Sequence, residues 1–204
     1  MSKMTVGIEG YERHISRFIE TSQALDFQIV CRDFVEYLPP EKSHVLDVGA
    51  GAGQNAAALD ELGFHVTAIE PMQEFRIAAQ NFYKASSVKW LAGSLPHLSI
   101  LDSADAHKFE FVLIEGVWHH LNDKEREQAA ARISSIVKRN GKCAISLRNG
   151  PAGMGTRMFP TDPMQTSELF KKYGFDCIFM AKNQDSILPN KENVKWSRIV
   201  LQKQ

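Results

Sequence analysis

The sequence predicts an α/β fold built on a doubly wound parallel sheet that ends in a hairpin. A short apolar segment at residues 45–48 runs into alternating glycines and then an alanine-rich stretch, the pattern of a buried strand, a tight turn and a helix. The segment 109–114 is almost continuously apolar, as in a parallel strand covered on both faces. Predicted strands alternate with predicted helices until two strands close the chain, which is typical of this fold class.

The segment before the first strand is predicted to form two amphipathic helices between residues 11 and 38. Asp26 is a suitable N-cap for the second helix, and Pro39 stops it. We expect a single domain, in which residues 1–43 form a helical lid or cap and residues 44–204 form the core. Plain packing of these helices against the sheet is the alternative.

The run Gly49-Ala50-Gly51-Ala52-Gly53 after the first strand is the centre of the predicted site. Glycines at alternate positions let the backbone turn sharply and let a ligand approach it closely. The following helix points its free N–H groups at the same place, which suits a nucleotide-like ligand.

Three classes of nucleotide ligand compete for this turn. A phosphate-cradling NTPase loop needs a Lys and a Ser or Thr after its last glycine, where this chain has Gln54 and Asn55. A dinucleotide-binding turn needs a glycine at position 54, so a nicotinamide or flavin site is the second choice.

The run from Asp47 to Gly53 resembles the first motif of class I S-adenosylmethionine-dependent methyltransferases. The resemblance covers about residues 45–147. It implies a Rossmann-like, seven-stranded, mainly parallel sheet with the last strand antiparallel and helices on both faces, and S-adenosyl-L-methionine as the cofactor. In the turn itself it implies cofactor contacts from these residues: Asp47, Gly49, Ala50, Gly51 and Gly53.

Glu70 ends the second predicted strand, about 20 residues past the glycine turn, where an acid can accept both hydrogen bonds of a ribose diol. Pro71 and Met72 follow it and are expected to line the same cofactor site. After the third predicted strand, 88–91, the resemblance implies contacts with the adenine from the loop that contains Gly93, Ser94 and Leu95.

The fourth strand ends in Glu115-Gly116-Val117-Trp118-His119-His120-Leu121, which resembles the fourth motif of small-molecule methyltransferases. The resemblance implies that Glu115, Gly116 and Val117 contact the cofactor. His119 and His120 are the candidate general bases, since imidazole titrates near neutrality. A packing role for these two histidines is the alternative.

In the second half of the chain, predicted helices and strands continue to alternate. Asn122 is expected to cap a helix through a capping box with Glu125, and Gly141 is expected at the C′ position of that helix. Strand 142–148 follows and ends at Arg148.

The last elements are a helix at 163–173 and strands at 175–181 and 194–201. The Gly- and Pro-rich loop at 149–156 follows a strand's carboxyl end, where substrate residues usually lie.

Three residues are predicted to contact the acceptor: Tyr11, Trp118 and Arg148. Arg148 is suited to a carboxylate or phosphate, and a salt bridge at the sheet edge is its alternative role. Met154 is expected to line the same pocket.

Composition limits the partners. The chain has 204 residues, with 24 Lys and Arg against 24 Asp and Glu, so no basic surface favours nucleic acid. No apolar run approaches the roughly 18 residues of a membrane span, and residues 1–10 lack the apolar core of a signal peptide. The three cysteines lack paired metal spacing. We expect a cytoplasmic protein with buried free thiols, no metal and no membrane partner.

The sequence therefore predicts methyl transfer from S-adenosylmethionine to a small-molecule acceptor. The acceptor is expected between the N-terminal helices, the loop 118–120 and the segment after Arg148. The Asn-Pro-Pro-Tyr type of motif is absent after the fourth strand, which argues against adenine-N6 or glutamine-amide methylation. A binding module without catalysis, and a methyltransferase acting on protein or RNA, remain the alternatives.

Overall fold

The computed structural model describes residues 7–189 and 191–204, and its framework is one seven-stranded sheet with the order β3-β2-β1-β4-β5-β7-β6. The strands are β1 (His44–Val48), β2 (His65–Ile69), β3 (Lys89–Leu91), β4 (Phe109–Ile114), β5 (Val137–Asn149), β6 (Phe175–Asp185) and β7 (Lys195–Lys203). The α-helices are α1 (Ile15–Gln23), α2 (Phe27–Val30), α3 (Gln54–Glu61), α4 (Gln73–Phe82), α5 (Asp123–Ile136) and α6 (Pro163–Lys171). Short 3₁₀ turns include Tyr11–Arg13 and Trp118–His120.

The strand pairing confirms the predicted sheet. Strands β3, β2, β1, β4 and β5 pair in parallel in that spatial order. Strand β7 runs antiparallel to both β5 and β6, between which it lies. The carboxyl ends of the parallel strands therefore meet at one edge, which is where ligands bind in sheets of this kind.

Helices cover both faces of the sheet, which explains the continuous apolar character of β4. Val112 and Ile114 pack into a core cluster with α5 and α6, whereas Phe111 and Leu113 pack into a second cluster with α2 and α3. Successive side chains of a strand point to opposite faces, so both sets must be apolar.

The N-terminal segment is less helical than predicted. Asp26 caps α2 as expected, accepting the N–H of Gln28 at 2.7 Å, but α2 ends after four residues. The carbonyl of Val30 accepts from Nη2 of Arg198 at 3.4 Å, and the N–H of Phe34 bonds to the carbonyl of Cys31 at 2.7 Å. The prediction of a second helix reaching residue 38 is therefore wrong.

The α5–β5 connection contains a further correction. The capping box is confirmed, with Asn122 and Glu125 exchanging bonds of 2.8 and 3.0 Å. Gly141 is not at a C′ position, because α5 ends at Ile136 and β5 starts at the next residue. Gly141 lies in a strand irregularity, where a Cβ would be only 2.9 Å from the carbonyl oxygen of Lys138. It permits a close backbone approach.

Within residues 7–189 and 191–204, no helix combines the length and apolar character that crossing a membrane requires. Cys31 and Cys143 are buried and Cys177 is partly buried, and all three are free thiols. The same residues contain no group of three or more potential His, Cys, Asp or Glu metal ligands.

Gly53 offers a test of the packing between α3 and its neighbours. Its φ is +93°, and a Cβ there would lie 2.7 Å from the Cβ of Ala79 and 3.1 Å from the Trp90 ring. We expect Gly53→Ala to lower the free energy of unfolding by about 2–4 kcal/mol, since a left-handed backbone penalty adds to an overlap. Urea denaturation monitored by circular dichroism measures this change.

Gly174→Ala is the matched control for this substitution. Gly174 also has a left-handed φ, +81°, but a Cβ there would meet nothing within 4 Å. We expect a loss of about 1–2 kcal/mol, from the backbone alone. Equal losses in the two variants would contradict the packing role of Gly53.

Candidate active site

A cavity of about 300 Å³ lies at the carboxyl edge of the sheet. Its floor is formed by the turns that follow β1 to β5. Its roof is formed by the N-terminal segment and by residues 153–158, and the β6–β7 connection closes one end. The cavity therefore extends from the end of β2, across β1 and β4, to the end of β5 and the start of β7.

Most of the residues that the sequence predicted for the site line this cavity. They are Tyr11, Gly49, Ala50, Gly51, Glu70, Pro71, Met72, Ser94, Leu95, Glu115, Gly116, Val117, His119, His120 and Arg148. Met154 lines it as well. Four predicted residues are not among the lining residues: Asp47, Gly53, Gly93 and Trp118.

Trp118 belongs to the hydrophobic core, and the predicted acceptor contact is wrong for this residue. Its indole is fully buried and lies 5.6 Å from the ring of Phe170 on α6. The 3₁₀ turn Trp118–His120 directs successive side chains to different sides, so the tryptophan enters the core while the two histidines reach the cavity.

Packing rather than ligand contact accounts for two of the predicted glycines. Gly53 faces Ala79 and Trp90, and a Cβ on Gly93 would lie 3.2 Å from side-chain atoms of both Ile69 and Ile100. The prediction that Gly53 and Gly93 approach a ligand is thus not supported by their positions.

The carboxylate of Glu70 joins two turns at the floor of the cavity. Its Oε2 accepts the N–H of Gly51 at 2.9 Å, and its Oε1 accepts the N–H of Met72 at 2.8 Å. Burial raises the pKa of Glu70 to about 7, although the two N–H bonds act in the opposite direction. This acid is held rigidly and can titrate near neutral pH.

Two more carboxylates lie at the ends of the adjacent strands. Asp47 on β1 is buried beneath the floor, and Glu115 follows β4 and faces the cavity. Within the described residues, one oxygen of each, Oδ2 of Asp47 and Oε2 of Glu115, is buried without a hydrogen-bond partner. Burial raises the pKa of both to about 7, and mutual repulsion adds to the shift at Asp47, whereas Arg198 opposes it at Glu115.

His120 and Tyr11 meet beneath the roof of the cavity, next to Gly155. The Tyr11 hydroxyl lies 3.2 Å from Nε2 of His120, and Nδ1 of His120 lies 2.6 Å from the carbonyl oxygen of Arg157. A carbonyl can only accept, so the bond network assigns the proton to Nδ1. Burial lowers the pKa of His120 and raises that of Tyr11 to about 12. The ring is therefore neutral at pH 7, and its unprotonated Nε2 accepts the hydrogen bond from the Tyr11 hydroxyl.

His119 is adjacent but has different surroundings. Its ring lies 4.1 Å from that of His120 and 6.2 Å from that of Trp196, and its buried Nδ1 has no partner among the described residues. Burial, followed by the charges of His120 and Arg148, lowers the pKa of His119 well below its usual value. This imidazole is neutral across the physiological range.

Arg157 fixes the roof over the histidines. Its Nη2 contacts both oxygens of Glu125 at 3.0 and 2.9 Å, its Nε lies 3.6 Å from Oε1 of Glu9, and its Nη1 donates to the carbonyl of His120. The N–H of Thr156 also donates to the carbonyl of Glu9 at 2.8 Å. These contacts tie the N-terminal segment and the loop after β5 to the start of α5.

The sequence did not predict the aromatic stack that lies above the glycine turn. The rings of Phe18 and Phe75 stack with centroids 4.4 Å apart, and Tyr11 packs edge-on against Phe18 at 5.2 Å. The edge of Phe18 lies 3.1 Å from the position of a Cβ on Gly51. Phe18 lies on the predicted apolar face of α1, which was the available signal for it.

Residues around the β6–β7 connection were also missed. They are Ser186, Ile187, Leu188, Lys191, Val194, Trp196 and Arg198. They follow no recognisable motif, and they reach the cavity because β7 pairs with β5.

Comparisons with known proteins agree with this geometry. Residues 46–145 match the model of a methyltransferase domain family. An uncharacterized methyltransferase from Alkaliphilus oremlandii (strain OhILAs) is 29% identical over 106 residues, which cover 50% of this chain and 44% of that protein. The match thus spans less than half the length of that curated relative.

Two solved structures share the fold over nearly the whole chain. A TehB-like SAM-dependent methyltransferase from Corynebacterium glutamicum ATCC 13032 Kitasato superposes with a TM-score of 0.67 at 18% identity, covering 95% of this chain and 98% of that one. The 1,6-didemethyltoxoflavin-N1-methyltransferase of Burkholderia thailandensis, with bound 1,6-didemethyltoxoflavin and S-adenosylhomocysteine, gives 0.67 at 20% identity, covering 95% and 86%.

The domain match, the curated relative and the seven-stranded fold with its glycine turn lead to one assignment. Residues 46–145 thus match the methyltransferase domain family, and the chain has the fold of S-adenosylmethionine-dependent methyltransferases.

Proposed function

We propose that this protein transfers a methyl group from S-adenosylmethionine to a small-molecule acceptor. The observation that carries the proposal is a continuous cavity with two different ends. Glu70 and the glycine turn form one end and Arg148 lies at the other, while Tyr11 packs on Phe18 and Phe75 and contacts His120 between them. In this proposal the N-terminal segment, which lines the cavity at positions between Gly7 and Val30, serves as the lid. A roofed cavity of this size favours a small acceptor over a protein or RNA chain.

The end of the cavity at β2 and β3 fits the cofactor. Each oxygen of Glu70 accepts one backbone N–H and keeps a further lone pair for a ribose hydroxyl. Ser94 and Leu95 line the space expected for the adenine, and the unpartnered Oε2 of Glu115 suits the amino group of the methionine part. When bound, S-adenosylmethionine supplies an electrophilic methyl group.

Tyr11 and His120 are suited to remove a proton from the acceptor. Neutral His120 can take a proton from the acceptor's nucleophilic atom at Nε2, directly or through the Tyr11 hydroxyl. The carbonyl of Arg157 holds Nδ1–H and thereby keeps Nε2 directed at Tyr11. The nearby charge of Arg148 further favours the neutral form of both histidines.

The named activity of a structural neighbour supports a small acceptor. The Burkholderia thailandensis protein is named for methylation of 1,6-didemethyltoxoflavin and was solved with that molecule bound. Non-catalytic binding of the cofactor, and methylation of protein or RNA, are the rival functions. The experiments below separate them.

The first experiment concerns Glu70. In Glu70→Gln one accepting oxygen becomes a donor, so we expect affinity for S-adenosylhomocysteine to fall by about 1.5–3 kcal/mol, as for loss of a hydrogen bond to a charged group. Isothermal titration calorimetry measures this, with NAD as a second titrant. Glu110→Gln is the control, since Glu110 also accepts a backbone N–H, from His44 at 2.7 Å, but at the opposite edge of the sheet. Unchanged affinity in Glu70→Gln, or tighter binding of NAD, would contradict the assignment.

The second experiment uses pH. The pKa of Glu70 is raised to about 7, chiefly by burial, so the carboxyl of the empty protein is mainly protonated at pH 6 and mainly ionised at pH 8. The ionised form accepts on both oxygens, so we expect affinity for S-adenosylhomocysteine to rise as pH increases through about 7 and then level off. Titrations at half-unit intervals test this, and Glu70→Gln should reduce the change, with Glu115, whose pKa is also raised to about 7, contributing the remainder. Weaker binding at pH 8 than at pH 6 would contradict the role of Glu70.

The third experiment tests catalysis and the size of the acceptor. With labelled donor and cell extract, we expect label in the low-mass fraction. His120→Ala should reduce the rate by about 100-fold or more, and Tyr11→Phe by less, while affinity for S-adenosylhomocysteine persists. His97→Ala removes an exposed histidine and should not affect the rate. Label found solely in macromolecules would reject the small acceptor, and an unlabelled extract would favour a binding module.

A further inference from the structure

Arg148 is a buried cation that lacks an anionic partner. It is the last residue but one of β5, it is 8% exposed, and its Nη1 contacts Sδ of Met158 at 3.1 Å. No carboxylate in the described part of the chain forms an ion pair with it, and residues 1–6 and 190 contain no Asp or Glu. Arg148 also lines the cavity, where a ligand can reach it.

Other arginines of the fold that are shielded from solvent have partners within the protein, either carboxylates or, for the partly buried Arg76 and Arg132, mainly backbone carbonyls. Arg198 lies 3.7 Å from Asp33, Arg157 binds Glu125, and Arg126 lies 3.3 Å from Asp123. A buried charge without a partner costs free energy, so it persists where a ligand supplies the opposite charge. Among the described arginines that are shielded from solvent, Arg148 has neither a carboxylate nor a carbonyl partner, and it lines the acceptor end of the cavity.

The surroundings of Arg148 define the rest of the ligand. Met154, Met158 and Trp196 line this end of the cavity, and Ile187 and Leu188 close it. Trp196 is the register partner of Arg148 across the β5–β7 ladder. A ligand that fits here combines an apolar body with one anionic group.

We propose that Arg148 binds the carboxylate of an apolar methyl acceptor, an inference that rests on the proposed function. The planar guanidinium matches a carboxylate with two parallel hydrogen bonds. The sheet order places β5 three strands from β2, about 14 Å at the usual strand spacing, which separates Arg148 from the ribose site at Glu70. The carboxylate of the cofactor's own methionine part is the other anion within the cavity, and the test distinguishes the two.

The test titrates benzoate and its neutral analogue benzamide into protein saturated with S-adenosylhomocysteine. We expect benzoate to bind wild type at least about tenfold more tightly than benzamide. Arg148→Met should weaken benzoate binding by about 10- to 100-fold, and Arg148→Lys should restore part of it. Arg139→Met is the matched control, because it makes the same change at the exposed, opposite end of β5 and should leave benzoate affinity unchanged.

Two further measurements identify the source of the anion. Arg148→Met should bind S-adenosylhomocysteine and 5′-methylthioadenosine, which lacks the amino acid part, as tightly as wild type does. Weaker binding of S-adenosylhomocysteine alone would assign Arg148 to the cofactor's carboxylate and overturn the proposal. Equal binding of benzoate and benzamide by wild type would also overturn it. Failure of wild type to bind S-adenosylhomocysteine would instead reject the proposed function.

The stability of the empty protein separates ligand binding from a structural role. Removing an unpaired buried charge should leave the melting temperature of Arg148→Met equal to or above that of wild type. A lower melting temperature together with unchanged benzoate affinity would show that Arg148 supports the loop at Met158, and would overturn the proposal.

Discussion

The bonds from the Glu70 carboxylate to the N–H groups of Gly51 and Met72 set the geometry on which the rest of the site depends. They link the turn after β1 to the start of the helix after β2. Gly51 lies 19 residues from Glu70 in sequence, and Met72 lies 2 residues from it. The link is possible because parallel neighbouring strands end at the same edge of the sheet. The floor of the cavity is therefore ordered by the protein's own hydrogen bonds, and binding a nucleoside there requires little rearrangement.

Charge is unevenly distributed across this floor. Asp47, Glu70 and Glu115 lie together at the ends of β1, β2 and β4, and burial raises the pKa of each to about 7. Arg148 lies beyond them, at the end of β5. Buried carboxylate oxygens without hydrogen-bond partners, as in Asp47 and Glu115, and a cation without an ion-pair partner destabilise the protein when no ligand is bound. Groups of this kind concentrate at functional sites. Their arrangement gives the cavity an end that favours hydrogen-bond donors and an end that favours an anion.

The roof depends on contacts between segments that are far apart in the chain. Arg157 connects Glu9, Glu125 and the backbone of His120, so the N-terminal segment and the loop after β5 are held against the start of α5. The same contacts orient His120 toward Tyr11. The segments that roof this part of the cavity are thus the segments that position His120.

The sequence by itself determined the sheet, the glycine turn and the strand-end positions of Glu70, Glu115 and Arg148, because these features follow from local periodicity and from the shared edge of parallel strands. It could not decide which side of a turn each residue faces. Trp118 and His120 are two residues apart, yet one enters the core and the other lines the cavity. Trp196 lines the cavity because β7 pairs with β5. Arg148 lacks an ion-pair partner because no acid of the described chain lies next to it, which depends on the position of every acid in the fold. Contacts of this kind join residues distant in sequence, and only the tertiary structure fixes them.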